Sequence, residues 1–209
     1  MAKYKMVIFD FDGTLSNTFP FVLEVMNKLA DAHGFKRVDY NDVDMLRGWH
    51  PTEIIKHLGV PIWKIPQVGM HFISLMAENI HRIRLFDGVG DMLKRIKQEG
   101  ITLAILTSNS YDNVVGVLGP EITALISYFE CGAALFGKRP KLKRLCHKSG
   151  IKPQDTLYIG DEVRDLEAAR AVKMAFGAVN WGYTRPDTLW AHNPDFVFTT
   201  IAEVVELLI

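Results

Sequence analysis

Cysteine is scarce in this sequence. There are only two, Cys131 and Cys146, and their spacing matches no metal-binding or redox pattern. Two reduced, largely buried thiols are expected in place of a disulfide framework or a zinc centre. An excess of charge is also missing: 24 basic residues balance 24 acidic ones, for a formal net charge of zero. That balance gives no electrostatic reason to expect nucleic acid or an anionic membrane surface as partner. Long apolar runs are absent too, the longest being strand-length and far short of the roughly 20 residues of a membrane span. Met1-Ala2-Lys3-Tyr4-Lys5 runs straight into a strand pattern, without the apolar stretch and cleavage site of a signal peptide. Internal repeats and low-complexity segments are lacking. The expectation is a cytoplasmic protein of ordinary globular composition. Its 209 residues suffice for one large domain or for a core with a modest insertion.

What is present is alternation. Met6-Val7-Ile8-Phe9 reads as a fully buried strand, and similar runs follow at 103–106, 157–159 and 175–179, with a weaker one at 196–198. Between them, Val89, Met92, Leu93 and Ile96 recur at helix spacing before Gly100. Leu142, Leu145 and Cys146 do so before Gly150, and Leu166, Ala169 and Val172 after Asp165. Buried strands alternating with helices imply an α/β fold, a parallel sheet covered on both faces.

From about Ser16 to Leu85 the rhythm changes to helical periodicity without a convincing strand. Phe21, Val22, Val25, Met26 and Leu29 share one face of a helix ending near Gly34. Further helices are expected around 42–46, 52–58 and 63–80, punctuated by Gly59-Val60-Pro61 and Phe86-Asp87-Gly88. Residues 1–15 and 86–209 are thus expected to form the core, and 16–85 a helical insertion.

Acidic residues gather where strands end. Asp10 and Asp12 follow the first strand, Thr107, Ser108 and Asn109 the second, and Asp161, Glu162 and Asp165 a later one. In open parallel sheets sites form at the carboxyl ends of strands, so these groups are expected to converge. Asp10, Asp12, Asp161 and Asp165 cannot be ionised together without counter-charge. A divalent cation resolves that, and an all-oxygen site suits Mg²⁺. A phosphate dianion adds further negative charge, for which Lys138 is placed as a partner, with Lys141 as a rival. Thr107, or Ser108 beside it, can donate a hydroxyl to a phosphoryl oxygen. Asn109 is open to either ligand binding or capping of the next helix.

Asp10-Phe11-Asp12-Gly13-Thr14-Leu15 resembles the DxDGT(L) first motif of the haloacid dehalogenase (HAD) superfamily. Ile105-Leu106-Thr107-Ser108-Asn109 resembles its second motif, Lys138 its third, and Gly160-Asp161-Glu162-Val163-Arg164-Asp165 its GDxxxD fourth. Gly177–Tyr183 is similar to a segment of the phosphoglycolate-phosphatase-like branch. The resemblance implies a Rossmann-like parallel sheet with an inserted helical cap domain. It implies hydrolysis of a small phosphomonoester, phosphoglycolate-like or a sugar phosphate. In that scheme Asp10 becomes an aspartyl-phosphate, Asp12 transfers protons, and Thr107 and Lys138 steady the phosphoryl oxygens. Mg²⁺ falls to Asp10, the Asp12 carbonyl, Asp161 and either Asp165 or Glu162. Arg47 or His50 of the cap would read a substrate carboxylate or sugar, or else serve packing. Two alternatives share these residues: a phosphomutase of the β-phosphoglucomutase kind and a phosphate-binding protein without turnover. Arg139 stands where the family has proline after the lysine, and Asn17 where relatives commonly have aspartate. Neither the particular ester nor the oligomeric state is written in these motifs.

Overall fold

The structure is a computed structural model and describes residues 3–132 and 137–209. The strands are β1 (Met6–Phe9), β2 (Thr102–Leu106), β3 (Tyr128–Glu130), β4 (Thr156–Gly160), β5 (Ala175–Val179) and β6 (Phe196–Phe198). They form one sheet in the order β3-β2-β1-β4-β5-β6, every pairing parallel. The first strand therefore lies in the interior, and the chain leaves it in both directions, which opens crevices on either side of its carboxyl end.

All four β1 side chains are buried, and they alternate between two cores. Met6 and Ile8 pack with Leu142, Leu145, Leu166 and Ala169. Val7 and Phe9 pack on the opposite face with Val89, Leu93, Ile96 and Val204. Helices on both faces explain why the strands read as continuous apolar runs. Those helices are α5 (Val89–Gln98), α6 (Tyr111–Thr123), α7 (Arg139–Ser149), α8 (Val163–Arg170), α9 (Pro186–Ala191) and α10 (Ile201–Leu208). No described helix is long and apolar enough to cross a membrane.

Between β1 and α5 lie α1 (Phe19–His33), α2 (Val43–Leu46), α3 (Pro51–His57) and α4 (Ile65–Glu78). Val38, Leu46 and Leu58 give this segment a small apolar cluster of its own. Its two ends run side by side: Asn17 N donates to Arg84 O (2.8 Å), Phe86 N to Leu15 O (3.0 Å), and Ser16 bridges Leu85.

Three differences from the sequence reading have local causes. The strand β3 is a three-residue edge strand, too short for any period to emerge. Helix α6 is interrupted where Gly119 turns to φ 69° before Pro120, which breaks its pattern. Helix α8 begins at Val163, ahead of the expected start after Asp165, because Glu162 and Asp165 form a reciprocal cap that starts the helix earlier.

Candidate active site

The register of the sheet brings the polar residues together. Phe9 is level with Ile105 on one side and Ile159 on the other, so β1, β2 and β4 end at the same height. Asp10, buried, continues the ladder by donating its N–H to Ile159 O (2.8 Å), and Thr107 N reaches Glu130 O (3.1 Å).

After Asp10 the chain folds into a tight turn, with the amides of Leu15 and Ser16 both donating to Phe11 O at 2.9 Å. This aims Thr14 Oγ1 at Asp161 Oδ1 (2.8 Å), 147 residues away, while Tyr183 N donates to Asp161 Oδ2 (2.7 Å). Asp161 is fully buried. Gly13, at φ 78°, and Gly182 flank it so closely that a methyl group on either would sit inside the Asp161 side chain.

Lys138 precedes α7, and its ammonium lies 2.8 Å from Asp10 Oδ2 and 2.5 Å from Asp165 Oδ1. Tyr158 OH also donates to Asp165 Oδ1 (2.9 Å). Lys141 takes a separate place. Its ammonium donates to the carbonyls of Thr107 and Cys131, both at 3.1 Å, and to that of Gly132. The upstream part of the Lys138 loop, residues 133–136, lies outside the described residues.

Asp12 occupies a different environment. Asn109 Nδ2 donates to both of its oxygens (3.2 and 3.1 Å), and Thr107 Oγ1 approaches Oδ2 at 3.4 Å. Asn109 is not the helix cap, which is Ser110. Asn109 Nδ2 also lies 2.9 Å from Met76 Sδ of α4, so the helical segment packs directly on this residue. Ser108 lines a cavity of about 310 Å³ with Thr107, Lys138, Lys141 and Arg164.

Burial pushes the Asp10 carboxyl up to about 7; Lys138 opposes the shift, and Asp165 and Glu162 reinforce it. Burial likewise raises Asp161, with Glu162 and Asp10 adding to it, and raises Asp12 against the pull of Asn109. Burial works against the Lys138 ammonium, but Asp10 and Asp165 more than offset it and hold its pKa above the ordinary lysine value. Negative charge is thus in excess here even with Lys138, and Arg164 paired to Glu162, in place.

Asp10, Glu162 and Asp165 each bring a carboxylate oxygen within 4.8 Å of the others. Hard oxygen donors in charge excess fit a hard divalent cation. Asp161 stands beside this triangle with both oxygens already accepting protein hydrogen bonds.

Neither expected reader of substrate is free of protein contacts. Arg47 donates Nε to Tyr183 O (2.9 Å) and Nη2 to Gly182 O (3.1 Å), tying the helical segment to the loop after β5. His50 caps α3, and its Nε2 faces Glu167 at 3.6 Å. The sequence reading missed Tyr183 and Thr18, whose hydroxyls lie 2.5 Å apart. At a separation of 165 residues no local pattern marks such a pair.

A phosphoglycolate phosphatase of Synechococcus elongatus is 32% identical to this chain over 201 residues, covering 96% of this chain and 95% of its own. An N-acetylmuramic acid 6-phosphate phosphatase of Pseudomonas aeruginosa is 26% identical, over 99% and 95%. The solved structure of a haloacid dehalogenase-like family hydrolase from Streptococcus pneumoniae shares the fold, with a TM-score of 0.80 over 99% of each chain at 20% identity. With residues 7–179 matching the haloacid dehalogenase-like hydrolases from β1 to the end of β5, the chain belongs to that family.

Proposed function

We propose that the protein is a Mg²⁺-dependent phosphomonoesterase that works through an aspartyl-phosphate on Asp10. The observation that carries this reading is the contrast between its two neighbouring carboxylates. Asp10 is ion-paired to Lys138 within the acidic cluster, while Asp12 is held by Asn109 and Thr107. Carboxylates kept in different environments can take different roles, one as nucleophile and one as acid and base.

Asp10, Asp165 and Glu162, with Asp161 and the Asp12 backbone carbonyl, would hold Mg²⁺, which when bound supplies counter-charge for the substrate phosphate. An Asp10 oxygen attacks phosphorus, the ester P–O bond breaks, and the leaving oxygen takes the proton of Asp12. Burial raises the Asp12 pKa, which favours its protonated form at that moment. Water then attacks the aspartyl-phosphate while Asp12 accepts its proton, releasing inorganic phosphate and restoring the Asp10 carboxylate. Lys138, Thr107, Ser108 and Asn109 supply donors to the phosphoryl oxygens. Residues 16–85 act as the cap, and Arg47 clasps that cap to the core.

The two phosphatase relatives act on different phosphate esters, as their names state, so neither name selects the substrate. The test is a panel of phosphate esters assayed with and without Mg²⁺, with Asp10→Asn as control. Hydrolysis that needs both metal and Asp10 is expected. Full activity in Asp10→Asn, or indifference to metal, would refute the mechanism.

A further inference from the structure

A second cavity, about 280 Å³, lies between the helical segment and the carboxyl edge of the sheet. At roughly 30 Å³ each it has room for about nine water-sized groups. Its walls are apolar: Phe19 and Met26 of α1, Leu46 of α2, Trp49, and Ile54 of α3. On the core side it is closed by Glu162 and Tyr183. Glu162 brings a carboxylate oxygen within 4.8 Å of one from Asp10, and the Tyr183 N–H holds Asp161. The hollow therefore borders the acidic cluster, and the Tyr183 hydroxyl on its wall lies 2.5 Å from that of Thr18, which is hydrogen-bonded to Asp12.

Its lining disfavours an anionic occupant. Arg47, the one cation among the described lining residues, already donates Nε and Nη2 to backbone carbonyls. Glu162 is ion-paired with Arg164, so its charge is already met within the protein. A carboxylate on the leaving group would give up its hydration against apolar walls without an unengaged lysine or arginine to meet it. An alkyl or aryl group there would exchange water for apolar side chains.

Building on the phosphatase reading, we propose that this hollow receives the leaving group and that the preferred substrate is a phosphomonoester of an apolar alcohol. The measurement is kcat/KM in Mg²⁺ buffer for hexyl phosphate, ethyl phosphate and 2-phosphoglycolate. The two alkyl esters differ only in apolar length. Each fully buried methylene contributes about fourfold, so hexyl phosphate should exceed ethyl phosphate by on the order of a hundredfold, and should also exceed 2-phosphoglycolate. Val22→Phe and Val43→Phe, on separate helices, each fill part of the cavity. Both should lower the hexyl-to-ethyl ratio at least tenfold while ethyl phosphate turnover is retained. Equal rates for the two alkyl esters in the wild-type protein, or preference for 2-phosphoglycolate, would overturn the inference and leave the phosphatase reading standing. Hydrolysis of none of the three while another ester of the panel turns over would overturn this inference alone, and turnover of no ester at all would refute the phosphatase reading with it.

Discussion

Stripped of divalent cations, the protein should lose stability as pH rises through the weakly acidic range. The cause is Asp10, whose carboxyl is pushed by burial from the ordinary value of 3.8 up to about 7, despite Lys138 beside it. Between those values the folded state keeps a proton that the unfolded chain has already released. The folded state therefore binds more protons, and the free energy of unfolding falls as pH climbs from about 4 to about 7. About three pH units at roughly 1.4 kcal/mol each set a ceiling of about 4 kcal/mol for this one group. Asp161 and Asp12 are also shifted upward by burial, so they act in the same direction. Urea denaturation in EDTA across about pH 5 to 7.5 reads the effect directly. Asp10→Asn should reduce the slope by about one proton, roughly 1.4 kcal/mol per pH unit. Saturating Mg²⁺ should stabilise the protein more near pH 7.5 than near pH 5, because the carboxylates must be ionised to bind it. A flat or rising profile in EDTA, or an unchanged slope in Asp10→Asn, would refute the account of the cluster.

The two lysines should separate in their effects. Lys138→Met is expected to abolish turnover, while Lys141→Met costs about 1.5–3 kcal/mol of stability by withdrawing a charged donor from backbone carbonyls and leaves turnover per folded molecule largely intact. Equal loss of turnover in both would overturn that division of roles. Asp12→Asn should slow hydrolysis by about 10²–10⁴ while calorimetry finds Mg²⁺ affinity nearly unchanged, since only the Asp12 backbone carbonyl is assigned to the metal. Collapse of that affinity would contradict the assignment. Gly182→Ala should destabilise the fold by about 1–3 kcal/mol, measured by denaturation, because the added methyl collides with Asp161. A neutral outcome would mean that the loop after β5 can move away without cost.

The helical segment and the core are joined by more than their two linkers. Asn109 touches both Asp12 and Met76, and Asn113 Nδ2 donates to Ile73 O of α4 (3.0 Å). On the other side Arg185 N donates to Arg47 O (3.0 Å), and Thr18 meets Tyr183. Any opening of the segment must exchange these hydrogen bonds for water.

Much of this protein is determined locally and so is readable in its sequence. Strands buried on both faces must be apolar throughout, and β1, β2, β4 and β5 are legible for that reason. The helical segment announces itself through its own periodicity and the absence of competing strands. Asp10 and Asp12 are placed by the strand that ends just before them. Tertiary structure alone decided the rest. Lys138 and Lys141 are three residues apart and equivalent on paper, yet one meets Asp10 and the other backbone carbonyls. Asp161, Glu162 and Asp165 share one short motif, but only the last two join Asp10 in the tight cluster, because Thr14 and Tyr183 hold Asp161 aside. Arg47 is committed to carbonyls 135 and 136 residues away. Such partners are chosen by sheet register and by the seating of the helices on the core, long-range contacts of which a local pattern carries no trace.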